Sequence, residues 1–505
     1  MNKLLHKYSH LFPAGSLKTG WNKVLCSRRA KLLKILDSFA VFSAIPAEPG
    51  EENLWFTNST RIFQEPSILY LTGINQPGIR LILDPNSSKK EVLFIPEKDP
   101  DKEFWTGTRF GFPGPGTESG TGASVPAKAE HRPGQKQASQ PDLDDIHALT
   151  GIRQIKPLRE FKPWLKNLIL NSKRPYAYCF FHQYVNNKDG KVLVTRTDYN
   201  WKFARETKRF AQAVLKKNKS NGKVRASLRY EIRTLADTHF RQRLPLEHHQ
   251  INDAKIAMRL TGQAFKDTLK KAGTFKNEHQ LASYLEYSLK KRSVYGLSFP
   301  AIAASGKNAL VLHYIKNDDV IKPGGLVLLD FGLRYGVMHS DISRTIPASG
   351  RFDPLQSMLY SIVLDALREN QRNARAGITI RELDQKVWHF IEKRLQKDFF
   401  SRGGVAKRPY GFQPHKVSHL MGLQVHDGDP HRQYQDIPMK TGWQISSEPG
   451  IYGHFKIQLN GRTYSQTLGI RIEDNLLIQA RGCVNLSRAI PRTPEGIEKL
   501  MTGQS

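Results

Sequence analysis

Short apolar runs bounded by turn residues mark the first half of the chain. "FAVFSAIP" (39–46) has strand length, and "SILYLTGI", "GIRLILDP" and "EVLFIPE" follow, each rich in β-forming residues. All four predict strands. "CSRRAKLLKILD" predicts a helix ahead of them, and "FKPWLKNLIL" and "YAYCFFHQYV" resume the helical and strand patterns. A basic stretch over 200–245 is helical in pattern and reads as a bridge. From about residue 236 the pattern changes. "DAKIAMRLTGQAFKDTLKKA" carries apolar residues near helical spacing, and "EHQLASYLEYSLKKRSVYG" predicts a second amphipathic helix ending in basic residues and Gly. Strand-like pieces come next: "GLVLLDFG", "VMHSDISRTIP", "WQISSEPGIY" and "GIRIEDNLLI". The order predicts an α/β domain over 23–235 and an α+β domain over 236–505.

One segment fits neither pattern. Residues 111–142 are dense in Gly, Pro, Ser and Ala with few large apolar side chains, and are expected to form a flexible insertion. The first 36 residues contain no Asp or Glu. A basic start of this kind suits a transit peptide or a simple extension; its apolar pieces are too short for a secretory signal, and residues 1–22 read as a basic extension.

Composition narrows the function classes. At 505 residues the chain is long enough for two or three domains and a large core. No stretch approaches the roughly 18 apolar residues of a membrane span. Cys26, Cys179 and Cys483 are widely separated and form no CxxC pair, which points to a reducing compartment and a cytoplasmic location. A net charge of +31 raises the question of an anionic partner. The basic residues are spread widely, with no helix-turn-helix, zinc-finger or RNP-like pattern, so specific nucleic-acid and membrane binding are not expected.

The chemistry lies in the acidic residues of the later strand pieces. Asp330 ends the apolar run of "LVLLDFG", Asp341 lies in "HSDISRT", Glu448 in "SSEPGIY" and Glu473 in "GIRIEDNLLI". A charge in a buried strand is costly unless it is paired or binds a cation. One such carboxylate is ordinary; four recurring ones suggest a shared cation site. Four carboxylates and one imidazole would suit two divalent ions, with an oxygen-rich set favouring Mn²⁺, or else Co²⁺ or Zn²⁺. Two such ions can share and acidify a water for hydrolysis. "HKVSH" places His415 and His419 at the spacing of a zincin helix, but Lys416 stands where that motif needs Glu, which excludes a zincin site.

These motifs together resemble the pita-bread metallopeptidases, and most closely the aminopeptidase P and prolidase group. "SGKNALVLHY", "DFG" with "SDISRT", "HKVSHLMGLQVHD", "EPGIY" and "GIRIED" occur in the family's order, and "NLSRAIPRTPEGIEKLM" resembles its usual end. "NSTRIFQEPSILYLTGINQPG" and "EKDPDKEFWTGTRFG" look like the aminopeptidase P N-terminal domain, also found in creatinase. The resemblance implies metal ligands Asp330, Asp341, His419, Glu448 and Glu473, with Asp341 and Glu473 shared by both ions. It implies that Glu448 handles the proton of a metal-bridged hydroxide. His313, His415 and His426 would face the substrate, with His313 and His426 steadying the tetrahedral intermediate. Arg471, two residues before Glu473, would point to the same strand face and support the acidic site.

The implied activity is removal of the N-terminal residue from peptides with proline at position two, by a dimer or tetramer. A prolidase acting on dipeptides would share the same ligands. A non-catalytic binding protein or a creatinase-like hydrolase need not keep all five ligands, whereas this chain does. The departures are Phe331 after the first Asp, Lys416 after the first His, a longer hairpin before Glu473, and the insertion. Gly422 is expected to let the backbone approach the site.

Overall fold

A computed structural model describes residues 2–45, 64–100, 103–104, 108–112, 143–181, 183–185, 192–194, 199–219, 230–411, 413–428 and 433–503. The chain divides into two compact units whose boundary lies between His239 and Phe240. Apart from Gly111 and Phe112, the segment expected to be a flexible insertion lies outside the described residues. Phe112 itself pairs its backbone with Pro96 and Lys98.

In the first unit, helix α1 (Trp21–Leu33) precedes one mixed sheet. Its strands are β1 (Ala40–Ser43), β2 (Arg80–Leu83), β3 (Glu91–Ile95), β4 (Gln154–Pro157), β5 (Tyr176–Cys179) and β6 (Glu231–Thr234), in the order β4-β3-β2-β1-β5-β6. β1, β2 and β3 pair antiparallel, while β4, β5 and β6 join in parallel. Parallel joins need long crossovers, and the helices between these strands supply them. The residues before α1, expected to be an extension, pack into this unit through Tyr8, Leu11 and Phe12, all buried. Aromatic side chains of that size gain too much from burial to stay solvated.

Two other expectations fail here. "SILYLTGI" is a helix, α2 (Pro66–Thr72), and not a strand. A short continuous apolar run has no periodicity to separate the two. The ends decide: Glu65 caps the Ile68 N–H, Pro66 stands at the first helical position, and Gly73 closes the helix at φ +72°. The 200–245 stretch is also not a continuous helical bridge, because β6 within it forms an edge of the sheet. Helices α3 (Phe161–Asn171) and α4 (Tyr199–Lys219) bury Phe161, Leu165, Phe203 and Ala211 against Val41, Ile82 and Phe94 of the sheet.

The second unit opens with two long helices, α5 (His248–Ala272) and α6 (Glu278–Lys290). Helices α7 (Pro354–Asn373), α8 (Ile380–Asp398) and α9 (Pro494–Thr502) come later. Capping boxes start α5, α7 and α8, each pairing a side chain with the backbone three residues on. Among the described residues, three antiparallel sheets of three or four strands pack with the helices, besides a two-stranded one (Arg334–Tyr335 with Met338–His339). The first orders β9 (Ile342–Pro347), β8 (Leu326–Phe331) and β7 (Ile302–Ser305). The second orders β10 (Val405–Lys407), β13 (Gly450–Leu459) and β14 (Arg462–Arg471). The third orders β11 (Leu420–Met421), β12 (Gln444–Ser447), β15 (Asp474–Gln479) and β16 (Gly482–Asn485).

One core joins these layers. Phe265, Leu285, Val363 and Trp388 from the helices pack with Leu329, Phe331, Ile342 and Ile470 from the strands. Each such buried side chain stabilises the fold by about 1.5–3 kcal/mol. Alternation along β8 sends Phe331 into this core, where its ring stacks on Phe265 at 5.2 Å, and turns Asp330 to the other face. The bulk at position 331 therefore leaves the site untouched. No helix among the described residues is long and apolar enough to cross a membrane.

Candidate metal centre

The acidic residues converge because most of them sit where strands break. Asp330 lies inside β8, but Asp341 immediately precedes β9, Glu448 separates β12 from β13, and Glu473 separates β14 from β15. The expectation that all four lie within strands is corrected accordingly. Pro449 follows Glu448 and has no N–H to continue a ladder, which ends the strand at that point. Breaks of this kind let side chains from separate sheets meet. Every site residue named from the sequence lines one cavity of about 440 Å³, together with Leu312, Gln413, Pro414 and Lys416.

The candidate ligands form overlapping groups. Asp330, Asp341 and Glu473 make one, His419, Glu448 and Glu473 a second, and Asp341, His419 and His426 a third, with ligand atoms within 4.8 Å of one another in each. His419 Nδ1 donates to the Leu420 carbonyl at 3.1 Å, which leaves Nε2 facing Asp341 Oδ2 at 3.4 Å and Glu448 Oε1 at 3.5 Å. Such a locked tautomer is what a metal-binding imidazole needs.

The electrostatics fit a missing positive charge. Burial, with Asp341 beside it, raises the Asp330 carboxyl to about 6. Burial and the neighbouring carboxylates raise Glu448 to about 7 and hold Glu473 well above its usual range. Asp330 Oδ1 and Glu473 Oε1 are buried without a hydrogen-bond partner. Orphaned acceptors of this kind are costly unless something else neutralises them. A set of carboxylate oxygens with one imidazole suits hard to borderline divalent cations.

Arg471 is the only arginine lining this cavity among the described residues, and it is almost completely buried. It donates from Nη2 to Asp330 Oδ2 at 2.7 Å, from Nε to Ser343 Oγ at 2.8 Å and from Nη1 to the Tyr452 hydroxyl at 3.3 Å. Ser343 in turn donates to Glu473 Oε2 at 2.9 Å. The strand register explains this, since Ser343 pairs with Asp330 and Arg471 with Gly450.

The substrate-side histidines differ from one another. The His426 ring lies 4.3 Å from that of His419 and 6.2 Å from that of His313, so it spans the two ends of the site. His415 is buried, and both of its nitrogens are engaged by protein atoms. Nδ1 meets the Lys416 carbonyl at 2.8 Å and Nε2 the Tyr452 hydroxyl at 2.8 Å. Burial and the nearby Arg471 push its pKa down to about 3, so the ring stays neutral. Lys416 points its ammonium to within 3.5 Å of the buried Asp384, which also accepts from Val417 N at 2.9 Å. Gly422 is required by a close contact of its own. A Cβ there would lie 2.4 Å from Asp427 Oδ2, in the carboxylate that Arg243 grips with both guanidinium nitrogens.

Comparison with known proteins gives this geometry a family. Residues 252–480 match the family model for metallopeptidase family M24, and residues 25–126 match that for the aminopeptidase P N-terminal domain. Xaa-Pro aminopeptidase 3 of Mus musculus is 26% identical over 521 residues, spanning 99% of this chain and 90% of that protein. Intermediate cleaving peptidase 55, mitochondrial, of Arabidopsis thaliana is 27% identical over 503 residues, spanning 98% and 86%. The structure of zinc-substituted Escherichia coli aminopeptidase P in complex with product superimposes with a TM-score of 0.71, at 22% identity and over 95% of this chain and 98% of that one. Residues 252–480 are a domain of the metallopeptidase family M24 type. The pita-bread fold and the aminopeptidase P-type N-terminal domain expected from the sequence are both present.

In this metallopeptidase several supporting residues escaped the sequence reading. Asn475 holds the Asp341 backbone at both its N–H and its carbonyl. The buried Arg344 pairs with Asp474 at 2.8 Å and also grips the Glu473 carbonyl. Tyr452 links His415 to Arg471. All lie one to four residues from a named ligand or histidine, or across a strand from one, and only the register reveals the pairing. The raised carboxyls carry a pH consequence for the metal-free enzyme. Its folded state holds protons that the unfolded chain has lost, so stability should fall as pH rises from about 6 to about 8. His415 opposes this only below its ordinary range near 6.5. Denaturant unfolding in chelator at the two pH values measures the trend; stability that is flat or rising would contradict it.

Proposed function

We propose that this metallopeptidase removes the N-terminal residue from peptides with proline at position two. The observation that carries the proposal is the convergence of its carboxylates, His419 and the substrate-side histidines on one cavity, with carboxylate oxygens left unpaired there. Relatives named Xaa-Pro aminopeptidase point to the same bond. Asp330, Asp341, His419, Glu448 and Glu473 would hold two divalent ions, Mn²⁺ first and Co²⁺ or Zn²⁺ as alternatives. When bound, the ions would acidify a water and polarise the scissile carbonyl.

The remaining steps belong to the chain's own groups. Glu448 would take a proton from the attacking water and return it to the leaving proline nitrogen. His313 and His426 flank the free end of the cavity and would stabilise charge on the carbonyl oxygen. His415 is neutral and engaged at both nitrogens, so it would meet the peptide as one wall of the pocket. Arg471 positions Asp330 and, through Ser343, Glu473. An X-Pro bond lacks the N–H that many peptidases grip, and a site holding the terminal amine and the carbonyl does not need it.

A prolidase would use the same ligands, and substrate length separates the two readings. Gly-Pro-X tripeptides should be cleaved after glycine, about 100-fold faster than Gly-Ala-X, which is the scale of discrimination an apolar slot provides. Cleavage confined to dipeptides would favour the prolidase instead. Assembly into dimers or tetramers follows from the family resemblance. The three unpaired cysteines favour a reducing location such as the cytoplasm, while the Arabidopsis relative is named as mitochondrial.

A further inference from the structure

A buried carboxylate outside the metal centre organises the segment that carries His313. Glu278 stands at the start of α6 and is 0% exposed. Its Oε1 accepts from Ser305 N at 2.6 Å, from Ser305 Oγ at 2.8 Å and from Asn308 Nδ2 at 3.0 Å. Its Oε2 lies 2.8 Å from the Tyr314 hydroxyl and accepts from Asp319 N at 3.0 Å. Every one of these donors belongs to residues 305–319, the loop whose exposed tip holds His313. An ionised carboxylate is acceptor-only, so it matches a ring of donors that no amide could match.

Two further contacts clasp the same loop. Asn317, in the left-handed region at φ 50°, accepts from Ala303 N at 2.7 Å and donates to the Ala301 carbonyl at 2.9 Å, standing in for a neighbouring strand. Across the loop, Ala309 presses on β14 at Gly469, where a Cβ would sit 2.5 Å from the Ala309 carbonyl oxygen. Gly469 is two residues before Arg471. The loop is thus fixed at its two ends and its middle, and His313 projects between the Asn308 and Tyr314 anchors. Capping does not require the charge at position 278, since the helix already has its cap in Asn277, which accepts from Gln280 N.

We infer that Glu278 is a positioning residue for His313, holding the loop so that the imidazole meets the substrate carbonyl. The inference rests on the proposed substrate role of His313. Misplacing a group by about 1 Å can cost about 100-fold in rate.

The test is a double-mutant cycle on the metal-loaded enzyme, read as kcat, KM and metal content, at a temperature where circular dichroism shows each variant folded. Glu278→Gln keeps the shape but turns an amide N–H₂ toward donors. It should lower kcat about 10- to 100-fold with metal content unchanged. In a His313→Ala background the same change should cost less than about 2-fold more, because its effect passes through His313. Should Glu278→Gln fail to fold, Tyr314→Phe removes one anchor and runs the same cycle with an expected loss of several-fold. Undiminished kcat, loss of metal, or a full additive loss in the His313→Ala background would overturn the inference alone. An unchanged kcat in His313→Ala itself would overturn the reading of His313, and this inference with it.

Discussion

His419→Ala is expected to lose bound metal and turnover together, whereas His426→Ala keeps the metal and loses turnover. The two side chains are close, with rings 4.3 Å apart, so proximity alone does not separate them. Their surroundings do. His419 is buried, its tautomer is set by the Leu420 carbonyl, and its free nitrogen faces both Asp341 and Glu448. His426 is exposed and reaches toward His313 at the open end. Loss of an outer partner of a ligand already weakens metal binding about 10- to 100-fold, and loss of the ligand itself should exceed that. Loss of a donor that stabilises only the developing oxyanion costs about 100- to 1,000-fold in kcat. Elemental analysis after dialysis, alongside kcat, separates the cases. His426 also completes a three-residue group with Asp341 and His419, so equal loss of metal in both variants would assign it to the metal centre instead.

The site was more legible in the sequence than the fold around it. Asp330, Asp341, Glu448 and Glu473 stand out because carboxylates in apolar strand contexts violate the ordinary pattern, and such violations accumulate at functional sites. What the pattern could not give was their placement at strand breaks, since a one-dimensional run of apolar residues does not show where a chain changes sheet. "SILYLTGI" was misread for a related reason: periodicity is absent in a short buried run, and the deciding information lies in Glu65, Pro66 and Gly73 at its ends. Lys416 stands out in the sequence only as a departure from the family pattern. In the fold it turns to Asp384, and both hold that loop to α8. Asn475 and Glu278 carry no local signal at all, because their partners are 134 and up to 41 residues away.

Arg471→Met is expected to destabilise the metal-free enzyme by about 3–5 kcal/mol, the usual cost of leaving a buried charge without its partner. The guanidinium is 3% exposed and holds Asp330, Ser343 and Tyr452 at once, and through Ser343 it also steadies Glu473. Its own pKa stays well above the usual arginine value because, although burial lowers it, Tyr452, Asp330 and Glu448 outweigh that effect. Removing it leaves four carboxylates with His419 as the remaining source of positive charge among the named ligands. They can escape part of the penalty by taking up protons, so the loss should be larger at about pH 8 than at about pH 6. Divalent cations would restore the compensating charge, and the metal-loaded variant should therefore lose much less stability than the metal-free one. Arg471→Lys keeps a charge but cannot fork to three partners, and should fall between the wild type and Arg471→Met. Denaturant unfolding of each variant in chelator and in saturating Mn²⁺ gives the comparison. A loss of the same size in both conditions would mean that Arg471 serves packing alone and does not share the neutralising role with the cations.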